Sequence, residues 1–327
     1  MSGAAHPSVY TLSRQMAVTK KPRPLPVGAR IRVVSPASPV APEKMARGLA
    51  ELRRLGCLPV NSDPFASTND YFAASAKDRS SELTAALADK SSGAVICARG
   101  GYGSTYLLDK KFKVASPRPP IFLGYSDITS LEIYFWQKYR WVTFYGPMVA
   151  AGFDSGANAA SGYDETSFRR ALTQTRHGWP LNLDGQSLVT GDARGVLLGG
   201  CMTMVESSLG TPWELETRGS ILVLEDRGMK PFQVDRVLTH LRQAGKFAGV
   251  RGIVLGEFPE CEPAIEGSPT VRDVALRILG GLHIPIVWGA RIGHTPRPML
   301  TLPLGVRARM LARGAGKLDI LEPAVIA

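Results

Sequence analysis

One serine in this chain has the sequence surroundings of a nucleophile. Ser126 follows the apolar run Ile121–Leu123 and Gly124, a pattern that predicts a short buried strand ending in a tight turn. From Asp127 onward the apolar residues recur at helical spacing, so a helix is predicted to begin just after the serine. A serine at such a corner exposes its hydroxyl, and the amides behind it stabilise developing negative charge. Ile128 stands where a G-x-S-x-G elbow has its second glycine, so a purely structural turn is the alternative.

The histidine best placed to activate this serine is His294. A serine hydroxyl is a weak nucleophile until a base takes its proton, and that base needs a third group to orient it. His294 follows the predicted strand Ile284–Trp288 in a glycine-flanked loop, a common position for functional residues, although it could also merely stabilise the loop. The other histidines lie in the N-terminal segment, after a crossover helix, within a helix and before a strand: His6, His177, His240 and His283.

An acidic residue at the end of the predicted strand Ile221–Leu224 could orient that base. An unpaired buried carboxylate is costly, so Glu225 is predicted to have a partner, and an imidazole is one candidate. Arg227 is an alternative partner, and Asp226 competes with Glu225 for the orienting role.

A glycine-rich segment, Arg99–Gly103, follows the predicted strand Gly93–Ala98. It lacks the Lys-Ser/Thr of a P-loop and the spacing of G-x-G-x-x-G, so it does not predict a phosphate site. Its glycines let backbone N–H groups line a small cavity, and with the amide after Ser126 these groups would form an oxyanion hole.

The four cysteines are scattered along the chain and include no C-x-x-C pair. They therefore give little support to a zinc site or a small disulfide framework, and a reducing, cytoplasmic setting is expected. Cys57 and Cys97 lie in apolar, strand-like runs and are predicted to be buried. Cys201 is a rival nucleophile because it follows Gly199-Gly200 on a predicted strand-to-helix turn, but no histidine lies near it in the pattern.

Alternating strands and helices are predicted to hold these residues. In the first half of the chain the strand-like and helix-like runs are residues 30–34, 42–55, 57–60, 76–89, 93–98, 121–123, 127–135 and 142–145. This alternation predicts an α/β fold with a parallel sheet covered by helices. Ligands bind such sheets beyond the carboxyl ends of the strands, which is where both Ser126 and Arg99–Gly103 are placed.

The second half resumes the same alternation. Its predicted elements are residues 195–198, 201–208, 221–224, 232–243, 252–255, 271–279 and 284–288. The tail is β-rich, and Met299–Leu302 and Val306–Leu311 are predicted to pair with each other around Pro303-Leu304-Gly305.

A length of 327 residues favours two domains. Residues 1–28 are polar and basic, contain no apolar core of a secretory signal, and are expected to form a flexible arm. The remaining predicted segments are an N-terminal domain with the serine, a crossover rich in Gly, Ser, Asn and Asp, and a C-terminal domain with the acid and the histidine: 29–155, 156–190 and 191–327.

The net charge of +11 raises the question of nucleic-acid binding. The basic residues are dispersed, and no zinc-finger, RNP or helix-turn-helix pattern accompanies them, so a basic solvated surface is favoured and no nucleic acid is expected as a partner. A positive field could also favour a small anionic substrate. No membrane association is expected either, because no apolar run approaches the roughly 18 residues of a membrane helix.

Several short motifs, taken together and in this order, resemble the LD-carboxypeptidase family of serine peptidases. They are Arg99-Gly-Gly-Tyr-Gly, Gly124-Tyr-Ser-Asp-Ile-Thr, Tyr145-Gly-Pro-Met, Leu224-Glu-Asp, Gly293-His-Thr and Leu302-Pro-Leu-Gly. Each motif alone is weak, whereas the ordered set is specific and spans the chain from about Ala29 to its C terminus. Members include murein tetrapeptide LD-carboxypeptidases and microcin C self-immunity peptidases. Gly199-Gly200-Cys201 departs from the Gly-Gly-Asn common in the family, which bears on helix capping more than on catalysis.

The resemblance implies a catalytic triad with Ser126 as nucleophile, His294 as base and Glu225 as the group that orients it. The implied oxyanion hole and substrate contacts come from other residues of the same motifs: the backbone amides of Asp127 and of Gly100 or Gly101, and the side chains of Arg99 and Tyr102.

The resemblance also implies an architecture and a reaction. The fold would be a flavodoxin-like N-terminal domain joined to a smaller C-terminal β/α domain, usually in a homodimer, with the site between the domains. The enzyme would release the C-terminal D-alanine of murein tetrapeptides in cell-wall recycling, through an acyl-enzyme and without a metal or organic cofactor. A peptidase of the same chemistry acting on a peptidyl-nucleotide antibiotic is one alternative, and a non-catalytic muropeptide-binding protein is another.

Overall fold

Two β-sheets organise the protein. The computed structural model describes residues 18–61, 71–109, 112 and 118–327. Within these residues the first part of the chain contains β1 (Arg30–Val34), α1 (Pro42–Arg54), β2 (Leu58–Asn61), α2 (Ala76–Ala88), β3 (Ala94–Cys97), β4 (Ile121–Gly124), α3 (Thr129–Tyr139) and β5 (Thr143–Tyr145).

The second part contains more elements, several of them shorter. They are α4 (Glu165–Thr173), β6 (Trp179–Asn182), β7 (Gln186–Val189), β8 (Gly191–Cys201), α5 (Met202–Ser207), β9 (Ser220–Glu225), α6 (Pro231–Gln243), β10 (Gly252–Leu255), α7 (Val271–Leu279), β11 (Ile286–Trp288), β12 (Leu302–Leu304), β13 (Arg307–Ala312) and β14 (Lys317–Ile320).

The first sheet has the strand order β12-β5-β4-β3-β1-β2. Its strands β1 to β5 are parallel, in the order found in flavodoxin-like folds, and β12 adds an antiparallel edge. Every residue of β3 and β4 is buried, as expected for parallel strands covered on both faces, and this accounts for their uninterrupted apolar sequence. The predicted α/β class and the flavodoxin-like arrangement are confirmed.

The second sheet has eight strands in the order β6-β14-β13-β8-β9-β10-β11-β7. Its centre, β8 to β11, is parallel, and antiparallel strands flank it on both sides. The strand that ends in Glu225 is therefore central, with all six residues buried. One hydrophobic cluster includes buried residues of both sheets, such as Leu123 of the first and Val223 of the second, so the two sheets share a core.

The predicted pairing of Met299–Leu302 with Val306–Leu311 is wrong. Strand β12 pairs with β5 of the first sheet, whereas β13 pairs with β8 and β14 of the second. The chain changes sheets at Gly305, where φ is +92° and an added Cβ would lie 2.7 Å from the Trp136 ring. Along β13, which pairs antiparallel with β14, buried residues alternate with more exposed ones. In β12 every residue is buried.

The predicted crossover, residues 156–190, contains α4 and both edge strands of the second sheet, β6 and β7. Strand β6 carries Pro180, which a sheet tolerates at its edge because a proline cannot donate to a neighbouring strand. The polar composition of this segment, which predicts a connection between domains, is therefore shared by the two edge strands of the second sheet.

The part of the predicted arm that the structure describes, residues 18–28, packs along the protein. The Lys20 N–H donates to the Arg140 carbonyl at 2.7 Å, and the Lys21 ammonium pairs with Glu322 at 2.7 Å. The earlier residues of the arm, including His6, lie outside the described residues. Among the residues that are described, no helix is long and apolar enough to cross a membrane.

Candidate active site

Ser126 lies on the turn between β4 and α3 with its backbone in the left-handed region, at φ +63°. This conformation costs a non-glycine residue roughly 1–2 kcal/mol and is concentrated at functional sites. The turn is tight, because a Cβ added to Gly124 would lie 2.6 Å from Cγ2 of Ile128. The predicted strand, glycine turn and helix therefore occur in that order, and Ser126 occupies the strained position.

The glycine-rich segment after β3 is fastened to this turn. Ser104 donates its N–H to the Asp127 carboxylate at 2.8 Å, and its hydroxyl donates to the Asp127 carbonyl at 2.6 Å. Burial raises the pKa of the Asp127 carboxyl, although hydrogen bonds from Ser104 oppose the shift. The Asp127 side chain thus has a structural task, and its backbone amide is left at the start of the helix.

Gly100 lies against the serine. A Cβ at Gly100 would be 3.1 Å from Ser126 Oγ and 3.3 Å from the Asp127 amide nitrogen, so the glycine leaves open the space beside both atoms. Gly101 has φ +107°, and a Cβ there would overlap Ser38. Within the part of the chain that the structure describes, the N–H groups of Gly100, Gly101 and Asp127 donate to no acceptor. Such free donors around an open space next to a hydroxyl can stabilise an oxyanion.

Glu225 and His294 are hydrogen-bonded to each other. Glu225, at the end of β9, is 0% exposed, and its Oε2 accepts the His294 N–H at 2.8 Å and lies 2.9 Å from the ring nitrogen Nδ1. Gly293 makes this approach possible: its φ is +56°, and an added Cβ would lie 2.5 Å from Glu225 Oε1. Because Nδ1 faces a carboxylate, it carries the ring proton, and Nε2 is left as the basic nitrogen.

The two charges of this pair support each other. Burial disfavours the ionised form of Glu225, but the charge and hydrogen bonds of His294 outweigh it, so the pKa of Glu225 lies below its ordinary value. Burial likewise disfavours the charged imidazole, but Glu225 outweighs it and raises the pKa of His294. An imidazole in this setting accepts a proton more readily than a free histidine does.

The neighbours that competed for the role of Glu225 have other partners. Asp226 Oδ2 accepts the backbone N–H of Thr203 at 2.9 Å and its hydroxyl at 2.6 Å. The Arg227 guanidinium pairs with Glu260. Of these neighbouring side chains, Glu225 is the one that forms a hydrogen bond with His294.

Ser126 and His294 line the same cavity, which has a volume of about 500 Å³. The Tyr125 ring lies edge-on to the His294 ring, with 5.1 Å between the ring centroids. Among the described residues no hydrogen bond joins the Ser126 hydroxyl to His294, although catalytic hydrogen bonds are often long without substrate. The wall also carries charges of both signs: Lys44, Arg99, Arg227, Asp154 and Glu260.

The two predicted substrate contacts differ in their surroundings. Arg99 lines the cavity, is exposed, and donates to the Pro39 carbonyl at 3.2 Å. Tyr102 is 48% exposed, is absent from the cavity wall, and stacks on Phe72 with ring centroids 5.7 Å apart. A substrate contact by Tyr102 therefore stays a prediction.

Cys201, the rival nucleophile, is buried at the end of β8 and does not line the cavity. Burial, together with the carboxylates of Asp226 and Glu225, raises the pKa of its thiol well above the ordinary value, which disfavours a reactive thiolate. Cys57 and Cys97 are buried as predicted. Over the described ranges, no three His, Cys, Asp or Glu side chains form a group that could hold a metal ion.

Sequence reasoning missed Tyr145, although its motif was recognised. The Tyr145 hydroxyl donates to Glu225 Oε1 and accepts the Ser126 N–H at 3.4 Å. Its position as the last residue of β5, at the carboxyl edge of the first sheet where ligands bind, is the signal that could have indicated it.

Comparison with known proteins identifies relatives along most of the chain. The family model for the LD-carboxypeptidase N-terminal domain matches residues 31–146, and the model for the LD-carboxypeptidase C-terminal domain matches residues 194–310. The protein SCO6489 of Streptomyces coelicolor is 38% identical over 93% of this chain and 97% of its own length.

Three further relatives carry informative names. The "Probable murein peptide carboxypeptidase" of Bacillus subtilis is 32% identical over 93% of this chain and 95% of its own. The microcin C7 self-immunity protein MccF of Escherichia coli is 27% identical over 87% of this chain and 91% of its own. The crystal structure of muramoyltetrapeptide carboxypeptidase from Oxalobacter formigenes has a TM-score of 0.80 at 28% identity and covers 90% of this chain and 99% of its own.

Proposed function

The chain belongs to the LD-carboxypeptidase family, and we propose that it is a serine-type carboxypeptidase that removes the C-terminal D-alanine from murein tetrapeptides. The observation that carries this proposal is the Glu225–His294 pair on the wall of the cavity that also exposes the strained Ser126. The names of the Bacillus subtilis and Oxalobacter formigenes relatives support a murein peptide as the substrate.

In the proposed acylation step, Ser126 Oγ attacks the carbonyl carbon of the amide that joins an L-configured centre to D-alanine. The Oγ proton passes to His294 Nε2 as the new C–O bond forms. When the tetrahedral intermediate collapses, the C–N bond breaks, and the imidazolium returns this proton to the leaving amine. Glu225 stays ionised throughout and stabilises the imidazolium, as the hydrogen bond at Nδ1 favours.

Water then completes the cycle. His294 takes a proton from the water as its oxygen attacks the acyl carbon, and the same proton is returned to Ser126 Oγ as the ester bond breaks. In both steps the carbonyl oxygen becomes an oxyanion. We assign its stabilisation to the Asp127 N–H and an N–H of Gly100 or Gly101, which have no competing acceptor in the described chain.

The cavity charges suit a peptide that ends in a carboxylate. Arg99 is the proposed partner of that carboxylate, because its only hydrogen bond among the described residues goes to one carbonyl and leaves further guanidinium N–H groups for substrate. Within the proposed donor, meso-diaminopimelate supplies the L-configured acyl group. The proposed setting is cell-wall recycling in the cytoplasm by a homodimer, without a cofactor.

A second candidate is hydrolysis of a peptidyl-nucleotide amide by the same groups. The 27% identity to MccF, a microcin C7 self-immunity protein, favours this candidate. The two functions differ in the leaving group and in what the cavity must admit, but not in the roles of Ser126, His294 and Glu225.

A substrate panel separates the two. Purified protein is incubated with murein tetrapeptide ending in meso-diaminopimelyl-D-alanine, with the corresponding tetrapeptide ending in L-alanine, and with an aspartyl sulfamoyl nucleoside. Release of D-alanine from the first alone supports the proposed function. Cleavage of the nucleoside alone would support the second candidate, and cleavage of none by a folded protein would contradict both.

A further inference from the structure

A fully buried tyrosine links the serine turn of the first sheet to the carboxylate of the second. Tyr145 ends β5, and its hydroxyl contacts both Glu225 Oε1 and the backbone N–H of Ser126. The other hydrogen bonds that Glu225 accepts in the described chain come from His294 and reach Oε2. The hydroxyl is therefore the direct bridge between the nucleophile's backbone and the acid, and the two oxygens of Glu225 have separate partners.

The surroundings are shaped to hold this ring. Gly200, near the end of β8, has φ +137°, and an added Cβ would lie 2.9 Å from Cε2 of Tyr145. The next residue, Cys201, donates its N–H to the Thr129 hydroxyl at 3.1 Å, which ties β8 to the start of α3. The Tyr125 ring packs edge-on against Tyr145, with 6.1 Å between centroids. A side chain held this firmly fixes the position of its hydroxyl.

We propose that Tyr145 is a positioning residue, which sets the distance between the serine turn and the Glu225–His294 pair and holds Glu225 in the rotamer that orients the imidazole. This role rests on the proposed function, in which the three side chains act together. Tyr145 does not line the cavity, so it acts through Glu225 rather than on the substrate.

The chemistry of the contact predicts the direction of its effect. Burial and the facing carboxylate raise the pKa of the Tyr145 phenol well above its ordinary value, so the group remains a donor. A donor aimed at Glu225 stabilises negative charge there. Without it, Oε1 would be a buried oxygen with no partner, and both Glu225 and His294 would bind protons more readily.

Other charged and titratable groups surround Tyr145 and the Glu225–His294 pair, and a substitution at position 145 leaves their identities unchanged. They come from α3, from the segments after β3, β4, β9 and β10 and from the end of β8: Glu132, Arg99, Tyr125, Asp226, Arg227, Glu257 and Cys201. Because none of them is altered by the substitution, a shift in titration reports the loss of the Tyr145 hydroxyl.

The first test is Tyr145→Phe, which keeps the ring and removes the hydroxyl. We expect kcat for D-alanine release to fall about 10- to 100-fold, as for loss of a hydrogen bond to a buried charge, with little change in KM. We also expect the pKa of His294, measured by NMR titration without substrate, to rise. The matched control is Tyr163→Phe, because Tyr163 is also fully buried and donates to a carboxylate, Glu51, at 2.7 Å. It should lose stability without changing kcat or the His294 titration.

A ring-fluorinated tyrosine at position 145 provides the second test. If Tyr145→Phe does not fold, this variant alone tests the positioning role of Tyr145. It keeps the hydroxyl but is a stronger donor, so the pKa of His294 should fall. Unchanged kcat and an unchanged His294 titration in the phenylalanine variant, or an unmoved titration in the fluorinated protein, would overturn the proposal. Since the titration needs no substrate, it is independent of whether wild-type protein releases D-alanine, which tests the proposed function separately.

Discussion

A single oxygen of Glu225 holds both the backbone and the ring of His294. Oε2 accepts the His294 N–H at 2.8 Å and lies 2.9 Å from Nδ1. The loop that carries the histidine and the orientation of its imidazole therefore depend on one buried carboxylate.

Replacing Glu225 with Gln keeps the size of the side chain but removes the charge that stabilises the imidazolium and favours the Nδ1–H tautomer. We expect kcat for amide hydrolysis to fall by about 10³-fold or more, as for triads that lose their acid. The measurement is steady-state D-alanine release. The matched control is Asp226→Asn, because the adjacent Asp226 carboxylate accepts hydrogen bonds from Thr203 and not from His294. This variant should retain kcat within a few-fold. Equal losses in the two variants would contradict the assignment.

The raised pKa of His294 determines the direction in which kcat/KM should change with pH. Glu225 raises the pKa of His294 above its ordinary value of about 6.5, despite the opposing effect of burial. His294 must be neutral to act as a base, so kcat/KM should rise with pH through a pKa above 6.5. In Glu225→Gln the pKa of His294, followed by NMR titration, should move down. A wild-type pKa below 6.5, or no movement in the variant, would contradict the coupling.

The raised pKa of His294 also makes the free energy of unfolding depend on pH. Because the pKa of His294 is higher in the folded than in the unfolded protein, its protonation stabilises the fold. This contribution is complete below the unfolded pKa and is lost as the pH rises through the folded one. Denaturant unfolding across this range should show a pH-dependent free energy in wild type that is diminished in His294→Gln.

Alanine variants at two glycines with similar positive φ distinguish the effect of backbone strain from that of a steric clash. Gly293 and Gly289 have φ of +56° and +72°, but an added Cβ would meet the Glu225 carboxyl only at Gly293 and has open space at Gly289. We expect Gly289→Ala to cost roughly 1–2 kcal/mol of unfolding free energy with activity retained. Gly293→Ala should in addition displace His294 and abolish most of the activity. Equal activity in the two variants would show that contact with Glu225 does not require glycine.

The proposed oxyanion site is tested at Gly100. A Cβ there would lie 3.1 Å from Ser126 Oγ and 3.3 Å from the Asp127 amide nitrogen, within the space assigned to the oxyanion. We expect Gly100→Ala to lower kcat by about 10²- to 10³-fold, the usual cost of losing an oxyanion donor. The control is Gly281→Ala, because Gly281 has open space around it, and its activity should be unchanged. A fully active Gly100→Ala enzyme would remove this segment from the oxyanion site.

Much of the site could be predicted because its residues follow local patterns. Ser126 lies where an apolar strand gives way to helical spacing, Glu225 ends a buried strand, and His294 follows another in a glycine-flanked loop. Each pattern depends on a few neighbouring residues. The contact between Glu225 and His294 was an implication of the family resemblance, since their separation of 69 positions leaves no local signal.

The parts that sequence reasoning missed depend on long-range pairing. The apolar sequence of β12, Leu302–Leu304, predicts a buried strand in either sheet. It contains no local signal that the strand pairs with β5 of the first sheet. Tyr145 was likewise recognised only as part of a motif, because its partner Glu225 is 80 positions away. The sequences of edge strands β6 and β7 predict a connection, because edge strands tolerate the polar residues and the proline that connections also contain.

In the proposed mechanism Ser126 forms a covalent acyl-enzyme with the donor peptide. The direct measurement is rapid-quench mass spectrometry of wild type and Ser126→Ala mixed with murein tetrapeptide. We expect wild type to release D-alanine and to carry the tripeptidyl group on the fragment containing Ser126, and we expect Ser126→Ala to do neither while remaining folded. Release of D-alanine by Ser126→Ala at the wild-type rate, or a tripeptidyl group on another residue, would contradict this mechanism.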